Sequence, residues 1–190
     1  MEQKSISEIK ESLKKRQKNS RYEHTMGVMY TAASMAMAFH MEPEKALLAG
    51  LLHDCGKYGT NEEQLESCTK HQITLSDAEL EIPALVHAKL GVYYAKNRYG
   101  VSDEEILQAI RYHTTGRPGM SDLEKIVYLA DYIEPGRKNI PNLPDIRQLA
   151  FRDLNKAVKT VSGQTLRYLE STGGKTDPAT RETWEYYQNF

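Results

Sequence analysis

The feature that most constrains the fold of this chain is a helix-start signal that recurs along the sequence. In this signal a Ser or Thr is followed three residues later by Glu, and the two side chains satisfy free backbone N–H groups reciprocally. Between the signals, apolar residues such as Ile106 and Ile110 are spaced as on one face of a helix. The signals stand at Ser5/Glu8, Ser20/Glu23, Ser76/Glu79, Ser102/Glu105 and Ser121/Glu124, with Asn61/Gln64 as a weaker relative.

These patterns predict an all-α protein, a bundle of about eight to ten helices, because no segment alternates convincingly between apolar and polar residues. Two stretches, 137–144 and 171–178, contain prolines or paired glycines and are predicted as loops long enough to reach a functional site. Neither has the low complexity of a flexible linker. At 190 residues, we therefore expect one domain over residues 1–190, with a core at about 18–135 and C-terminal helices and loops at 136–190.

Charge and composition argue against several classes of protein. The net charge is -1, so no overall basic field attracts nucleic acid. The longest apolar stretch, 46–52, is too short to span a bilayer, and the charged N-terminus opens no signal peptide. Both cysteines lack disulfide or zinc-finger spacing. We therefore expect a cytoplasmic protein that acts on a small molecule, without nucleic-acid or membrane partners and with a homodimer as the expected assembly.

Histidines and aspartates at core-facing helix positions indicate a metal site. The pair His53-Asp54 closes an apolar helix, His24 is in phase with apolar residues one helix earlier, and Asp131 lies one turn after Val127 on a later helix. Imidazole and carboxylate together suit first-row transition metals. A buried carboxylate such as Asp131 needs a partner, and a cation is an efficient one. Singly, each residue is more often structural; together the four predict a divalent metal centre.

Two further histidines lie in similar settings. His87 follows an apolar run, and His113 completes the stripe of Ile106 and Ile110. Either they bind a second metal, with Asp54 bridging, or they contact phosphate and supply a proton to a leaving group. The sequence leaves both roles, and hence one or two ions, open.

Three cationic side chains are placed to face a phosphoryl group at such a metal. Lys57 lies three residues past Asp54, just after a helix-ending glycine. Arg21 precedes His24 by three residues on the same helix face, and Arg137 lies in a Pro-Gly-Arg turn. For Lys57 the alternative is a solvated lysine that is favoured by the helix dipole.

The glycine-rich segment 172–176 is not a Walker motif, because Leu169 stands where the first glycine is required and no strand precedes it. Two interpretations have equal weight. The segment binds phosphate through backbone N–H groups, or it is a helix C-cap followed by a turn.

Together these residues resemble a known family. The runs Arg-Tyr-Glu-His at 21–24, His-Asp-Cys-Gly-Lys at 53–57 and Ala-Asp-Tyr-Ile-Glu-Pro-Gly-Arg at 130–137, with His87 and His113-Thr114, resemble the bacterial YqeK-type HD-domain proteins over residues 8–189. The last run is the most specific part. The resemblance implies an HD-domain helical bundle and a symmetrical bis(5'-nucleosyl)-tetraphosphatase, which splits diadenosine tetraphosphate into two ADP molecules.

The resemblance also implies roles for individual residues. The ligands of an iron-type metal would be His24, His53, Asp54 and Asp131. The catalytic residues would be Asp54, Lys57, His87 and His113. The nucleotide phosphates and base-proximal groups would be held by Arg21, Asp54, Lys57, His87, His113, Thr114, Asp131, Arg137, Thr172, Gly173, Gly174, Lys175, Thr176 and Asp177.

Two alternatives compete with this function. The first is another HD activity: a nucleotidase, a phosphodiesterase or hydrolysis of a guanosine alarmone. The second is a module that senses nucleotide or metal without turnover. The intact ligand set and Lys57 argue against the second alternative.

Overall fold

The computed structural model describes residues 2–190, and the described chain is built of helices joined by short loops. The helices are α1 (Ile6–Arg16), α2 (Asn19–Ala38), α3 (Pro43–Leu52), α4 (Asn61–Lys70), α5 (Asp77–Glu81), α6 (Val86–Tyr99), α7 (Glu104–Tyr112), α8 (Asp122–Ile133), α9 (Leu143–Ala150), α10 (Leu154–Ser171) and α11 (Pro178–Tyr187), with a 3-10 turn at Pro83–Leu85. No strand occurs within residues 2–190, which confirms the all-α prediction. The eleven helices exceed the predicted range, because α5 and α9 have only 5 and 8 residues and give little periodic signal.

Three of the predicted capping boxes are present, and they begin α1, α5 and α8. Ser5, Ser76 and Ser121 each accept a hydrogen bond from the backbone N–H of the Glu three residues later, and each Glu returns one to the cap. Such a cap stabilises a helix by about 1 kcal/mol. These boxes fix where the helices begin, and the Ser121 box thereby fixes the register of α8, which carries Asp131.

The other three predicted starts were wrong by one or two residues. Helix α2 begins at Asn19, with Lys18 as N-cap and no side-chain cap, so Ser20 is already helical. Helix α7 is capped by Asp103, whose carboxylate accepts from the N–H of Glu105. The box before α4 is formed by Thr60. At α4 and α7 the cause is local competition, since Thr60 and Asp103 are also competent caps and the pattern alone does not select the register.

Helix α2 lies at the centre and packs most extensively against α3, with further contacts to α8. Its predicted apolar stripe is buried, with Val28, Ala32 and Met35 fully inaccessible. The turn after α3 lies against α6, because a Cβ at Gly56 would collide with backbone of Gly91. This close approach brings the His53-Asp54 turn next to α6 and therefore next to His87.

The C-terminal helices close the bundle over the turn that follows α7. The Thr183 hydroxyl on α11 donates to the carbonyl of Thr115 at 3.1 Å, and Tyr187 is buried. The start of α11 is thus fixed beside the His113-Thr114 turn. Within residues 2–190, no helix is long and apolar enough to cross a lipid bilayer.

Candidate metal centre

Four histidines converge on one point, and each has one ring nitrogen already engaged. His53, His87 and His113 each place Nδ1 beside the backbone carbonyl oxygen three residues earlier, at 2.7, 2.6 and 2.8 Å. In His24, Nδ1 lies 3.1 Å from Oε1 of Glu134. Because carbonyl and carboxylate oxygens only accept, Nδ1 must be the donor in every case. In its neutral form each ring therefore presents a bare Nε2 lone pair, the form in which imidazole binds a metal.

The Nε2 atoms face the predicted carboxylates. His24 Nε2 lies 3.0 Å from Asp131 Oδ1, and His53 Nε2 lies 3.5 Å from Asp54 Oδ2. The candidate ligand atoms form two overlapping triads, each spanning no more than 4.8 Å, and the triads share His53. One contains His24 and Asp131, and the other contains Asp54 and His113. The structure thus brings the four predicted ligands together and places His113 beside them.

The donor set fits a cation. His53 Nε2 and Asp54 Oδ1 are buried without any hydrogen-bond partner, and His24 Nε2 faces Asp131 without hydrogen-bond geometry. Leaving buried acceptors unpaired costs about 1–3 kcal/mol each. A positive ion satisfies lone pairs that face one another in this way all at once, and nitrogen with carboxylate oxygen is a ligand set that suits first-row divalent metals.

The second histidine pair, His87 and His113, also has more facing hydrogen-bond acceptors than donors. His87 Nε2 lies 3.1 Å from His113 Nε2, and the two atoms lie 3.3 and 3.6 Å from Asp54 Oδ1. The Thr114 hydroxyl lies 3.2 and 3.0 Å from the two nitrogens, but its single hydrogen satisfies only one of them. Burial lowers the pKa of His87 to about 3, so the ring is neutral at pH 7.

Three cations border the cluster from the solvent side. Arg21 Nη1 donates to Asp54 Oδ2 at 2.8 Å, and Lys57 Nζ lies 4.0 Å from Asp54 Oδ1. Arg137 donates to Asp131 Oδ1 at 2.6 Å and to the carbonyl of the same residue at 2.8 Å. Their side chains are 34 to 39% exposed, whereas that of Asp54 is 3% exposed. The cations therefore stand between the buried acceptors and solvent.

The aspartates stay ionised in this setting. Burial opposes ionisation of Asp54, but neighbouring charges and hydrogen bonds together outweigh it and hold its pKa well below the ordinary value. Burial likewise opposes ionisation of Asp131, but neighbouring hydrogen bonds and charges, that of Arg137 among them, together outweigh it, so this pKa is also lowered. Two carboxylates, the buried one of Asp54 and the partly buried one of Asp131, therefore contribute negative charge at the point where the lone pairs meet.

Sequence reasoning did not assign Glu134, although it adjoins the centre. Its side chain is 3% exposed. One carboxylate oxygen accepts from His24, and the other accepts from the N–H of Gly136. A Cβ at position 27 would lie 2.5 Å from Oε2 of Glu134, so the absence of a side chain at Gly27 makes space for this carboxylate. The sequence signal that could have indicated Glu134 is its position as a carboxylate directly after a buried helix, within the run 130–137.

The glycine-rich loop stands at the C-terminus of α10. Gly173 has a left-handed backbone with φ 65°, and the N–H of Gly174 bonds to the carbonyl of Leu169. This is the geometry of a helix C-cap, the second of the two interpretations. Lys175 pairs with Glu81 at 3.0 Å, with both side chains 63% exposed. The loop leads to Asp177, which caps α11.

A cavity lies between the end of this loop and the turn that follows α7. It has a volume of about 180 Å³, and Thr114 and Asp177 both line it. Thr114 also lies within 3.2 Å of the Nε2 atoms of His87 and His113, so one residue both lines the cavity and contacts the histidines. Whether the loop binds phosphate stays a prediction, as do the roles of the other predicted substrate contacts.

Comparison with known proteins identifies the family. The family model of the HD domain matches residues 21–136. A protein of Bacillus subtilis (strain 168) named "Bis(5'-nucleosyl)-tetraphosphatase, symmetrical" is 40% identical over 166 residues, covering 87% of this chain and 88% of that protein. A protein of the same name from Halalkalibacterium halodurans is 39% identical over 164 residues, covering 86% of this chain and 87% of that one.

A solved structure from Clostridium acetobutylicum is also similar. It is described as a predicted HD superfamily hydrolase involved in NAD metabolism, and it has 39% sequence identity and a TM-score of 0.94 over 99% of both chains. The match therefore extends beyond the HD segment to the C-terminal helices. The chain belongs to the HD-domain family and, within it, to the YqeK-type group that contains the relatives named symmetrical bis(5'-nucleosyl)-tetraphosphatase.

Proposed function

We propose that this chain hydrolyses diadenosine tetraphosphate and related dinucleoside polyphosphates symmetrically, with two ADP molecules as the products of the adenosine substrate. The observation that carries the proposal is the convergence of unpartnered metal-ligand atoms with a rim of cations. The names of the two bacterial relatives supply the substrate class. An anionic polyphosphate needs both a metal and several positive side chains, and this combination lies at one point of the fold.

The proposed metal ligands are His24, His53, Asp54 and Asp131, with iron as the expected ion. When bound, a first-row divalent metal supplies an activated water and polarises phosphoryl oxygens. Asp54 turns Oδ2 towards His53 and Oδ1 towards His87 and His113, which supports a bridging role between two ions. Binding phosphate through the same Nε2 atoms would first require each ring to be protonated. Elemental analysis separates the two arrangements: two metal equivalents for the bridged pair, one for phosphate contacts.

The proposed role of the cations is to bind and orient the polyphosphate. The cationic groups of Arg21 and Lys57 lie within 4.0 Å of the Asp54 carboxylate, and that of Arg137 lies 2.6 Å from the Asp131 carboxylate. A phosphate bound to a metal at these two aspartates would therefore be close enough to contact all three cations. Positive charge that is fixed before the reaction stabilises the additional negative charge of the phosphoryl transition state. Thr114 would donate its hydroxyl to a phosphate oxygen.

The cavity between Thr114 and Asp177 is the proposed position of one ADP moiety. The loop 172–177 borders it at Asp177. In this proposal the exposed backbone of Gly173 and Gly174, with Thr172, Lys175 and Thr176, holds the phosphates and base-proximal groups. We also propose that residues 1–190 form one HD domain, whose C-terminal helices complete the nucleotide site.

Partners and location are also proposals. The near-neutral net charge supports a small nucleotide as ligand in preference to nucleic acid. We further propose a cytoplasmic homodimer. Sedimentation equilibrium of the purified protein tests the dimer.

Product analysis tests the activity. The enzyme loaded separately with iron, manganese, cobalt or magnesium should convert diadenosine tetraphosphate to ADP alone. In oxygen-18 water, one ADP of each product pair should carry the label. ATP plus AMP would indicate asymmetric cleavage, and no cleavage with any metal would overturn the proposal. A nucleotide panel then separates other HD activities, and tight binding without turnover would indicate a sensor.

A further inference from the structure

A groove of about 440 Å³ lies beside the metal centre, and neither the proposed metal ligands nor the proposed ADP site includes the residues that line it. One wall is α2, through Met26, Tyr30 and Thr31, and the other includes Phe151. Tyr30 is 58% exposed and Phe151 is 39% exposed, although both are large and apolar. Aromatic rings that stay in solvent on two sides of one groove indicate a ligand surface more than a packing role.

The groove continues the metal centre along a single face of α2. The opening of the metal centre is lined on α2 by Ser20 and His24, and the groove is lined by Gly27, Thr31 and Ser34. This spacing of three and four residues is that of one helix face. From His24 to Thr31 the helix advances about 10 Å at 1.5 Å per residue.

The opposite wall is also continuous. Glu134, Gly136 and Arg137 line the metal-centre opening, while Ile133 and Pro135 line the groove. The surface thus changes from cationic, at Arg21, Arg137 and Lys138, to mainly aromatic and apolar within two helical turns. Arg147 also lines the groove, and its guanidinium donates to the backbone carbonyls of Ile133 and Glu134. A molecule with a polyanionic chain at one end and a flat heterocycle at the other would complement this surface, with its anionic part at the cations and its heterocycle at the aromatic rings.

We propose that this groove binds the second nucleoside of the substrate, opposite the ADP moiety beside Thr114 and Asp177; this inference rests on the proposed function. Cleavage of the central anhydride requires equal lengths of substrate on either side of the metal centre. Thr114, which contacts His87 and His113, lines one cavity, and the groove runs along α2 beyond His24. A nucleoside in each would place the middle of a four-phosphate chain at the ligands.

The groove has the chemistry of a base site. Its volume lies within the range of about 300–1,000 Å³ that is usual for small-molecule sites. Stacking of a base on Tyr30 or Phe151 tolerates different bases, since every base has a π face. A Lys10 ammonium lies 5.2 Å from the Tyr30 ring centre and 3.3 Å from its hydroxyl, which holds the ring in place.

The test compares two substrates that carry the same four phosphates, diadenosine tetraphosphate and adenosine 5'-tetraphosphate. Only the first has a second nucleoside. Tyr30→Ala and Phe151→Ala should each lower kcat/KM for the dinucleotide about tenfold, the order of one lost base stack. Both should leave kcat/KM for the mononucleotide and the metal content unchanged. Tyr30→Phe keeps the ring and should behave like wild type.

Tyr186→Ala is the matched control, because Tyr186 is 42% exposed and does not line the groove. Unchanged kinetics of Tyr30→Ala and Phe151→Ala, in an enzyme that makes two ADP, would overturn the groove assignment and leave the proposed function standing. Equal losses on both substrates would also overturn it. A Tyr30→Ala protein that sediments as a smaller species would identify a second copy as the occupant. A wild-type enzyme without turnover would remove both inferences.

Discussion

Removing the Glu134 carboxylate should weaken metal binding without removing any ligand. This side chain accepts Nδ1–H of His24 at 3.1 Å and so holds the ring with Nε2 towards Asp131. Loss of such a partner typically changes metal affinity or activity 10- to 100-fold, which is about 1.4–2.8 kcal/mol. We therefore expect Glu134→Ala to raise the metal dissociation constant within this range. Competition with a chromophoric chelator measures the constant without any need for turnover.

Glu134→Gln gives a smaller and more informative change. Both carboxylate oxygens accept, one from His24 and the other from the N–H of Gly136. An amide accepts at one end only, so it keeps one of these bonds, and its remaining acceptor is neutral and weaker. We expect a loss of affinity of roughly threefold to tenfold, between wild type and Glu134→Ala.

The control for a general effect of burial lies on the same helix. Glu124 is 1% exposed, caps α8 at its other end and pairs with Arg117 at 2.7 Å. Glu124→Ala should lower the free energy of unfolding and leave metal affinity unchanged. If Glu134→Ala binds metal within twofold of wild type, or if both variants lose affinity equally, the assignment of Glu134 as the group that orients His24 is wrong.

Three further outcomes are expected. Asp54→Ala should lose activity and most bound metal while circular dichroism stays helical; metal at wild-type stoichiometry by elemental analysis would contradict the ligand assignment. Lys57→Ala and Arg137→Ala should each keep the metal and lower kcat/KM by about 10²-fold or more, the usual effect of removing one transition-state donor. If either variant has unchanged steady-state kinetics, the substituted residue is a solvated surface cation with no role in catalysis. Glu79→Gln should cost roughly 1–3 kcal/mol in urea unfolding at pH 7. Burial of Glu79 opposes ionisation, but the hydrogen bonds from Lys89 and the Ser76 backbone and the charge of Arg111 together outweigh it and lower this pKa. The difference from wild type should therefore shrink as the pH falls through the folded-state pKa and the wild-type carboxylate is protonated; a difference that is constant from pH 7 to pH 3 would contradict it.

The helical fold could be predicted because its signals are local. Caps such as Ser121 and the apolar stripe of α2 depend on residues within one or two turns, and the structure confirms them. The start of α7 could not be placed, because Ser102 and Asp103 both cap well and only tertiary contacts choose between them. Asp103 also pairs with Lys45 at 2.9 Å, a contact with α3 that no local pattern shows.

The candidate ligands could be found for a different reason. Each lies on a predicted buried stripe, where an ionisable group needs an explanation. Glu134 could not be found in this way, since its role depends on His24, 110 positions away, and on the missing side chain of Gly27. The groove along α2 was invisible for the same reason. Its opposite wall comes from Phe151 and the end of α8, far from Tyr30 in the chain.

The position of His53 and His113 at helix C-termini explains both the orientation of these two rings and their affinity for a cation. His53 and His113 are the C-caps of α3 and α7, where the last carbonyl groups have no partner within the helix. Each ring uses one of these carbonyls to fix Nδ1–H, and so turns Nε2 outward. The same helix ends carry partial negative charge, which favours a bound cation. A histidine in mid-helix would have neither the free carbonyl nor the dipole, so the helix ends that stop α3 and α7 also build the metal centre.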